Sequence, residues 1–128
     1  MTCINVSNQY RIRDNSFQLL VNMKTEFPYV TDKLRFYKCD DMMLIVATAS
    51  RFHSELSVLV DNVISSKYII DMYHLELLIE SLEILNNMLK NSLGQSIFKV
   101  WLLIGGYIAD LHLVKGILDR RQSMLMYD

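Results

Sequence analysis

The sequence predicts an all-α fold, a bundle of helices around a hydrophobic central helix. Three observations support this prediction. The 128 residues include one proline and four glycines, which leaves long stretches compatible with helix. Leucines recur in steps of three and four between positions 75 and 89, the period of an amphipathic helix. Residues 96–118 are apolar nearly all round, which is typical of a helix enclosed by other helices or placed in a membrane.

Length and composition indicate a single domain over residues 1–128. A net charge of -1 and a pI of about 6.3 disfavour binding to nucleic acid. The mean hydropathy of +0.19 leaves open an exposed apolar groove or an oligomer interface. The first twenty residues do not form a signal peptide, and the run 97–114 is too interrupted to predict a membrane span. We therefore expect a cytoplasmic protein without an integral membrane anchor.

The first third of the chain is predicted to contain two helices joined at a proline. Apolar residues recur at helical spacing in a first helix expected over residues 8–24. Pro28 marks the connection, and Thr31 and Asp32 are expected to cap the next helix. That second helix is predicted over residues 33–49.

Two further helices are predicted beyond this point. Residues 52–59 keep helical spacing, so either a short third helix follows or the second helix extends, before a break at Ser65-Ser66. The leucine stripe predicts a helix over residues 71–90, which could also be read as a short coiled-coil seam. The hydrophobic helix over residues 96–118 then forms the centre of the bundle. Gly105-Gly106 within it lowers helix propensity by about 1 kcal/mol per glycine, which suggests that another backbone or a ligand comes close.

No constellation of side chains predicts catalysis or metal binding. The histidines are far apart, in no metal-binding spacing, and read as helix-surface residues: His53, His74 and His112. Phosphate-loop and nucleophile-elbow motifs are absent from the sequence. Cys3 and Cys39 are expected to be free thiols, and three glutamates on one helical face read as a solvated surface: Glu76, Glu80 and Glu83. We expect neither an enzyme nor a bound metal or cofactor.

Two segments resemble the Bcl-2 family of apoptosis regulators. In the first, Leu34-Arg35 precedes the acidic pair Asp40-Asp41, and residues 50–59 carry an aromatic residue before Ser-Glu-Leu. This order is similar to the family's second helix and its junction with the third. The second segment, residues 100–112, resembles the family's hydrophobic central helix. The resemblance implies a bundle with a surface groove that binds the amphipathic BH3 helix of a partner.

The resemblance also implies which residues form that groove, although each of them could equally be plain core. The expected walls come from the second to fourth helices: Ile45, Ala49, Phe52, Leu56, Leu59, Leu82 and Leu85. The expected floor comes from the central helix: Phe98, Trp101 and Leu102. The family's motif arginine, which pairs with an aspartate of the partner, is absent, and only Gln95 and Lys99 lie at that place. Lys99 would supply the charge but not the two-pronged geometry of a guanidinium.

The implied function is inhibition of apoptosis by sequestering a pro-apoptotic protein through its BH3 helix, of the Bim-like, Bak-like or Bax-like kind. Degenerate motifs and a compact chain are typical of virus-encoded members, for which the location would be the host-cell cytoplasm. The alternative is a helical-bundle interaction protein that acts by self-association, for example as a homodimer, or by binding innate-immune signalling adaptors.

Overall fold

The computed structural model describes residues 8–92 and 97–127, with side chains described up to residue 120. Its elements in chain order are β1 (Gln9–Arg11), α1 (Asp14–Leu34), α2 (Met42–Ser65), β2 (Ile69–Asp71), α3 (Met72–Ser92) and α4 (Phe98–Tyr127). The described chain is mostly helical, so the all-α prediction is confirmed.

The helices form a closed ring around one core. Each helix packs on the next in sequence, and α4 returns to pack on α1. Short connections make neighbouring helices antiparallel. At one end of the ring, Ser92 Oγ donates to Asp41 Oδ2 at 3.3 Å, which ties the end of α3 to the start of α2.

The core is built from one face of every helix. In α4, for example, the buried residues recur in steps of four and three: Val100, Ile104, Tyr107, Leu111, Val114 and Leu118. Because an α-helix has 3.6 residues per turn, such steps keep all six side chains on the same face. Buried residues of α1, α2 and α3 complete one hydrophobic cluster with them.

Helix α1 continues through Pro28, so the predicted connection at Pro28 and the predicted cap at Thr31-Asp32 are wrong. A proline inside a helix has no N–H to donate to the carbonyl four residues earlier. That carbonyl belongs to Lys24, and it accepts a hydrogen bond from His53 Nε2 of α2 at 2.9 Å. A carbonyl only accepts, so Nε2 carries the hydrogen. The donor lost at Pro28 is thus replaced from the neighbouring helix.

The second predicted helix begins at Met42 instead of residue 33, and the alternative in which it extends through residues 52–59 is confirmed. The break at Ser65-Ser66 is also confirmed. It is followed by Lys67 and Tyr68 in the left-handed backbone region, with φ of 59° and 68°. This turn reverses the chain into β2.

The short strands β1 and β2 were not predicted from the sequence. They pair antiparallel, with Tyr10 opposite Ile70. The first helix therefore starts at Asp14, later than expected, because the residues before it belong to the strand and its exit. Strands of three residues are too short to show an alternating pattern.

Helix α3 matches the prediction for residues 71–90, and α4 starts close to the predicted position. The expectation of a central, enclosed α4 is wrong. One face of α4 is buried, whereas residues on the opposite face, such as Leu102 and Leu113, are about half exposed (54% and 49%). A ring of four helices around a shared core has no enclosed position. A Cβ added at Gly105 or Gly106 would meet nothing within 4 Å, so no part of the described bundle comes close to these glycines.

Candidate helix-binding surface

The residues expected to form the groove walls all lie in the core. Their exposure is 1% or less: Ile45, Ala49, Phe52, Leu56, Leu59, Leu82 and Leu85. Their helical spacing directs them at the other helices of the ring, where a buried face is what holds the bundle together. In this conformation they are core residues, although Leu59 also reaches a pocket formed by the end of α2 and β2.

The residues expected to form the groove floor all lie on α4, where Trp101 packs against the core and the other two face outwards. Phe98 and Leu102 are on the outer side of α4 with exposures of 55% and 54%. Lys99 is exposed, and Trp101 is half-buried. Trp101 Nε1 is buried without a hydrogen-bond partner in the described chain. Gln95 lies outside the described residues.

An open groove instead runs between the outer faces of α2 and α3. We call it the α2–α3 groove; its volume is about 340 Å³, and it is lined by Thr48, Arg51, Glu55, Leu77, Glu80, Ser81 and Ile84. Leu77 and Ile84 are 40% and 49% exposed. Seven residues apart on one helix, they present two apolar contacts about 10 Å apart along the groove.

The opposite wall of the α2–α3 groove carries a cation. The side chain of Arg51 is 81% exposed, and its Nε donates to Glu55 Oε1 at 3.1 Å. This bond uses one of the five N–H donors of the guanidinium. The bond leaves the terminal amino groups unused, and the carboxylates of Glu55 and Glu80 line the same groove.

Sequence reasoning missed the α2–α3 groove because it selected the strongest apolar stripe of α3. That stripe is the buried face. Leu77 and Ile84 interrupt the polar face of the same helix at a seven-residue interval, and this interval was the signal available. Arg51 stands within the segment that resembles the Bcl-2 family, but nothing in the sequence places it opposite Leu77.

The acidic face of α3 is only partly a solvated surface. Glu83 Oε1 contacts His112 Nε2 at 3.0 Å, and Glu76 Oε1 lies 3.6 Å from Lys115 Nζ. Glu80 lines the α2–α3 groove. Two of the three glutamates therefore make surface contacts with α4.

Tyr107 closes the ring between α4 and α1. Its hydroxyl donates to Glu26 Oε2 at 3.1 Å, and its ring centroid lies 6.1 Å from that of Phe27. Burial, the hydrogen bond to Glu26 and the charges of Glu26 and Asp110 together raise the pKa of Tyr107 to about 12, and burial contributes most. Each effect favours the neutral hydroxyl.

Among the described residues, no three His, Cys, Asp or Glu side chains come together in a way that could hold a metal ion. His53 bonds to the backbone of α1, and His112 to Glu83. Cys39 is a half-buried free thiol, and Cys3 lies outside the described residues.

Two stretches, Met42–Ser65 and Phe98–Arg120, are long and apolar enough to cross a membrane by length and composition alone. Each contributes its buried face to the core of the bundle. The core helix of a soluble bundle can have the same length and composition. These two properties therefore do not distinguish such a helix from one that spans a membrane.

The fold and the surface define an all-α bundle with an open groove between two adjacent helices. Comparison of the chain with protein-family models, curated proteins and solved structures finds no match.

Proposed function

We propose that this protein inhibits apoptosis by binding the amphipathic BH3 helix of a pro-apoptotic partner in the α2–α3 groove. The observation that carries the proposal is the combination of Leu77 and Ile84 on one side of that groove with Arg51 on the other. An amphipathic helix presents apolar anchors along one face and can carry an acidic residue beside them. The groove offers a complementary contact for each.

The Bcl-2 resemblance suggests the class of ligand, and the exposed contacts of the α2–α3 groove support its binding there. In the family, an arginine pairs with an aspartate of the BH3 helix. Arg51 takes that role here, instead of Gln95 or Lys99, because it shares a groove with exposed apolar side chains. An arginine also forms the paired hydrogen bonds to a carboxylate that a lysine cannot form.

Isothermal titration of the full chain with synthetic Bim-like, Bak-like and Bax-like BH3 peptides tests the proposal. We expect binding to at least one peptide. Arg51→Glu is expected to weaken it roughly 10- to 100-fold, the value of a charged hydrogen bond. Lys99→Glu is the matched control, since it reverses an exposed charge outside the groove, and it is expected to leave the affinity unchanged.

Two results would contradict the proposal. The first is the absence of heat from every BH3 peptide at micromolar concentration. The second is a loss of affinity in Lys99→Glu as large as that in Arg51→Glu, because it would move the binding surface to α4.

A further inference from the structure

The outer face of α4 is an apolar surface that nothing in the described chain covers. Seen along the helix, the face opposite the core carries Phe98, Leu102, Gly105, Ala109, Leu113 and Gly116. Phe98, Leu102 and Leu113 are about half exposed. A Cβ added at Gly105 or Gly116 would enter open space. The face therefore combines large apolar side chains with gaps at the small residues.

Large and small residues on this face stand in a self-complementary order about Ala109. From Leu102 to Gly116 the steps are three, four, four and three, which read the same in both directions from Ala109. When the helix is turned end to end about Ala109, Leu102 comes opposite Gly116 and Leu113 comes opposite Gly105. Each large side chain then meets a glycine, and Ala109 meets its own copy.

We propose that a second copy of this chain docks on the outer face of α4, antiparallel, with the two-fold axis at Ala109. Such an interface is isologous, because the same patch serves both subunits. Leucine side chains fill the space above the partner's glycines, and the small residues let the two helix backbones approach closely.

The same axis brings a further pair together at each end of the interface. Phe98 and Arg120 are equally distant from Ala109 along the helix, and both are exposed. The guanidinium of Arg120 in one copy then lies beside the ring of Phe98 in the other, a geometry that favours a cation–π contact. The symmetry provides this contact twice.

A lipid surface fits the outer face of α4 less well than a second copy does. Helices that lie on membranes carry Lys and Arg along the flanks of their apolar face. The flanks here have mixed sign, with Lys99 and Asp110 on one side and Asp119 on the other. The glycines of the face also reduce the apolar area that lipid could cover, whereas they improve the fit of another helix.

The size of the interface sets its expected strength. From residue 98 to residue 120 the helix is about 33 Å long, and a contact strip about 10 Å wide covers roughly 330 Å² per copy. Stable dimers bury at least about 1,200 Å² in total. The association is therefore weak and depends on concentration. It is independent of helix binding in the α2–α3 groove.

Cysteine crosslinking of the full chain, with both native cysteines replaced by serine, tests the arrangement. Ala109→Cys is expected to form a disulfide-linked dimer under mild oxidation, and Leu102→Cys with Gly116→Cys in one chain is expected to do the same. Leu102→Cys alone is expected to stay monomeric, because its antiparallel partner is residue 116. Equal crosslinking by Leu102→Cys and Ala109→Cys would overturn the antiparallel arrangement.

Sedimentation velocity over a concentration series tests the surface itself. Gly105→Leu is expected to abolish the dimer and to keep the monomer folded, since its side chain meets nothing in the bundle. Gly105→Ala is the matched control and is expected to retain the dimer. A monomer at every concentration would overturn the proposal, and so would a Gly105→Leu variant that still dimerises. In a separate flotation experiment, a monomer that floats with phosphatidylcholine–phosphatidylglycerol vesicles would also overturn it. Gly105→Leu is expected to bind BH3 peptide with the affinity of the parent chain. Loss of the dimer can therefore be distinguished from loss of peptide binding in the α2–α3 groove.

Discussion

The hydrogen bond from His53 to the Lys24 carbonyl should stabilise the protein only because Pro28 is present. His53→Phe keeps a ring beside Phe27, which His53 stacks on at 6.1 Å between centroids, but it removes the donor at 2.9 Å. The carbonyl then loses its partner in a half-buried place. We expect a loss of about 1 to 2 kcal/mol in the free energy of unfolding, the cost of an unsatisfied backbone group.

Pro28→Ala supplies the missing N–H from within α1 and makes the bond from His53 redundant. In that background, His53→Phe should cost only a few tenths of a kcal/mol, so the coupling between the two positions is expected to be about 1 kcal/mol. Urea unfolding of the parent, both single variants and the double variant, followed by circular dichroism, measures this coupling. An equal cost of His53→Phe in both backgrounds would refute the reasoning, since the bond would then not depend on the proline.

Three further predictions concern stability. Tyr107→Phe should remove a pH dependence: the neutral hydroxyl stabilises the fold below about pH 10, and this contribution, about 1 kcal/mol once solvent screening is allowed for, is lost as the pH rises through the pKa of about 12. Unfolding between pH 9 and about 12 in both chains measures it, and parallel curves would contradict the assignment. Leu56→Ala should cost about 2 to 5 kcal/mol because it leaves a cavity in the core, whereas Val58→Ala, which is 51% exposed in the parent, should cost far less; equal midpoint shifts in urea would contradict the burial of Leu56. Gly105→Ala should raise the free energy of unfolding by about 0.5 to 1 kcal/mol through helix propensity, and a loss of stability would mean that the glycine has a neighbour in the bundle.

The sequence was a good guide to helices with a clear period and a poor guide to helices interrupted by a single residue. The leucine stripe of α3 predicted its bounds closely, since local spacing alone determines which face is buried. Pro28 misled the prediction of α1, because the compensating donor, His53, is 29 residues away in the chain. Such a contact exists only after α1 and α2 pack together.

The position of α4 could not be derived from its composition for a similar reason. An apolar surface all round is compatible with enclosure, with a membrane or with a face that awaits a partner. Which of these applies depends on how many other helices are available to cover it. The described bundle has three, and they cover only one face.

The candidate binding surface was the least predictable part. Residues chosen for their strong apolar spacing, such as Phe52 and Leu82, were those most suited to the core, and the structure places them there. Surface contacts such as Leu77 carry a weaker pattern, because a groove needs only a few apolar side chains among polar ones.

The closed ring has a consequence for how the molecule opens. Three of its interfaces join helices that follow each other in the chain, whereas the interface of α4 with α1 joins its two ends and is smaller than the interface of α4 with α3. Separating α1 from α4 breaks the Tyr107–Glu26 bond but leaves the three sequential interfaces intact. Partial unfolding should therefore begin at this seam, with amide hydrogens of α4 exchanging faster than those of α2. Core leucines that are buried in the native state would then become transiently accessible to solvent between α1 and α4.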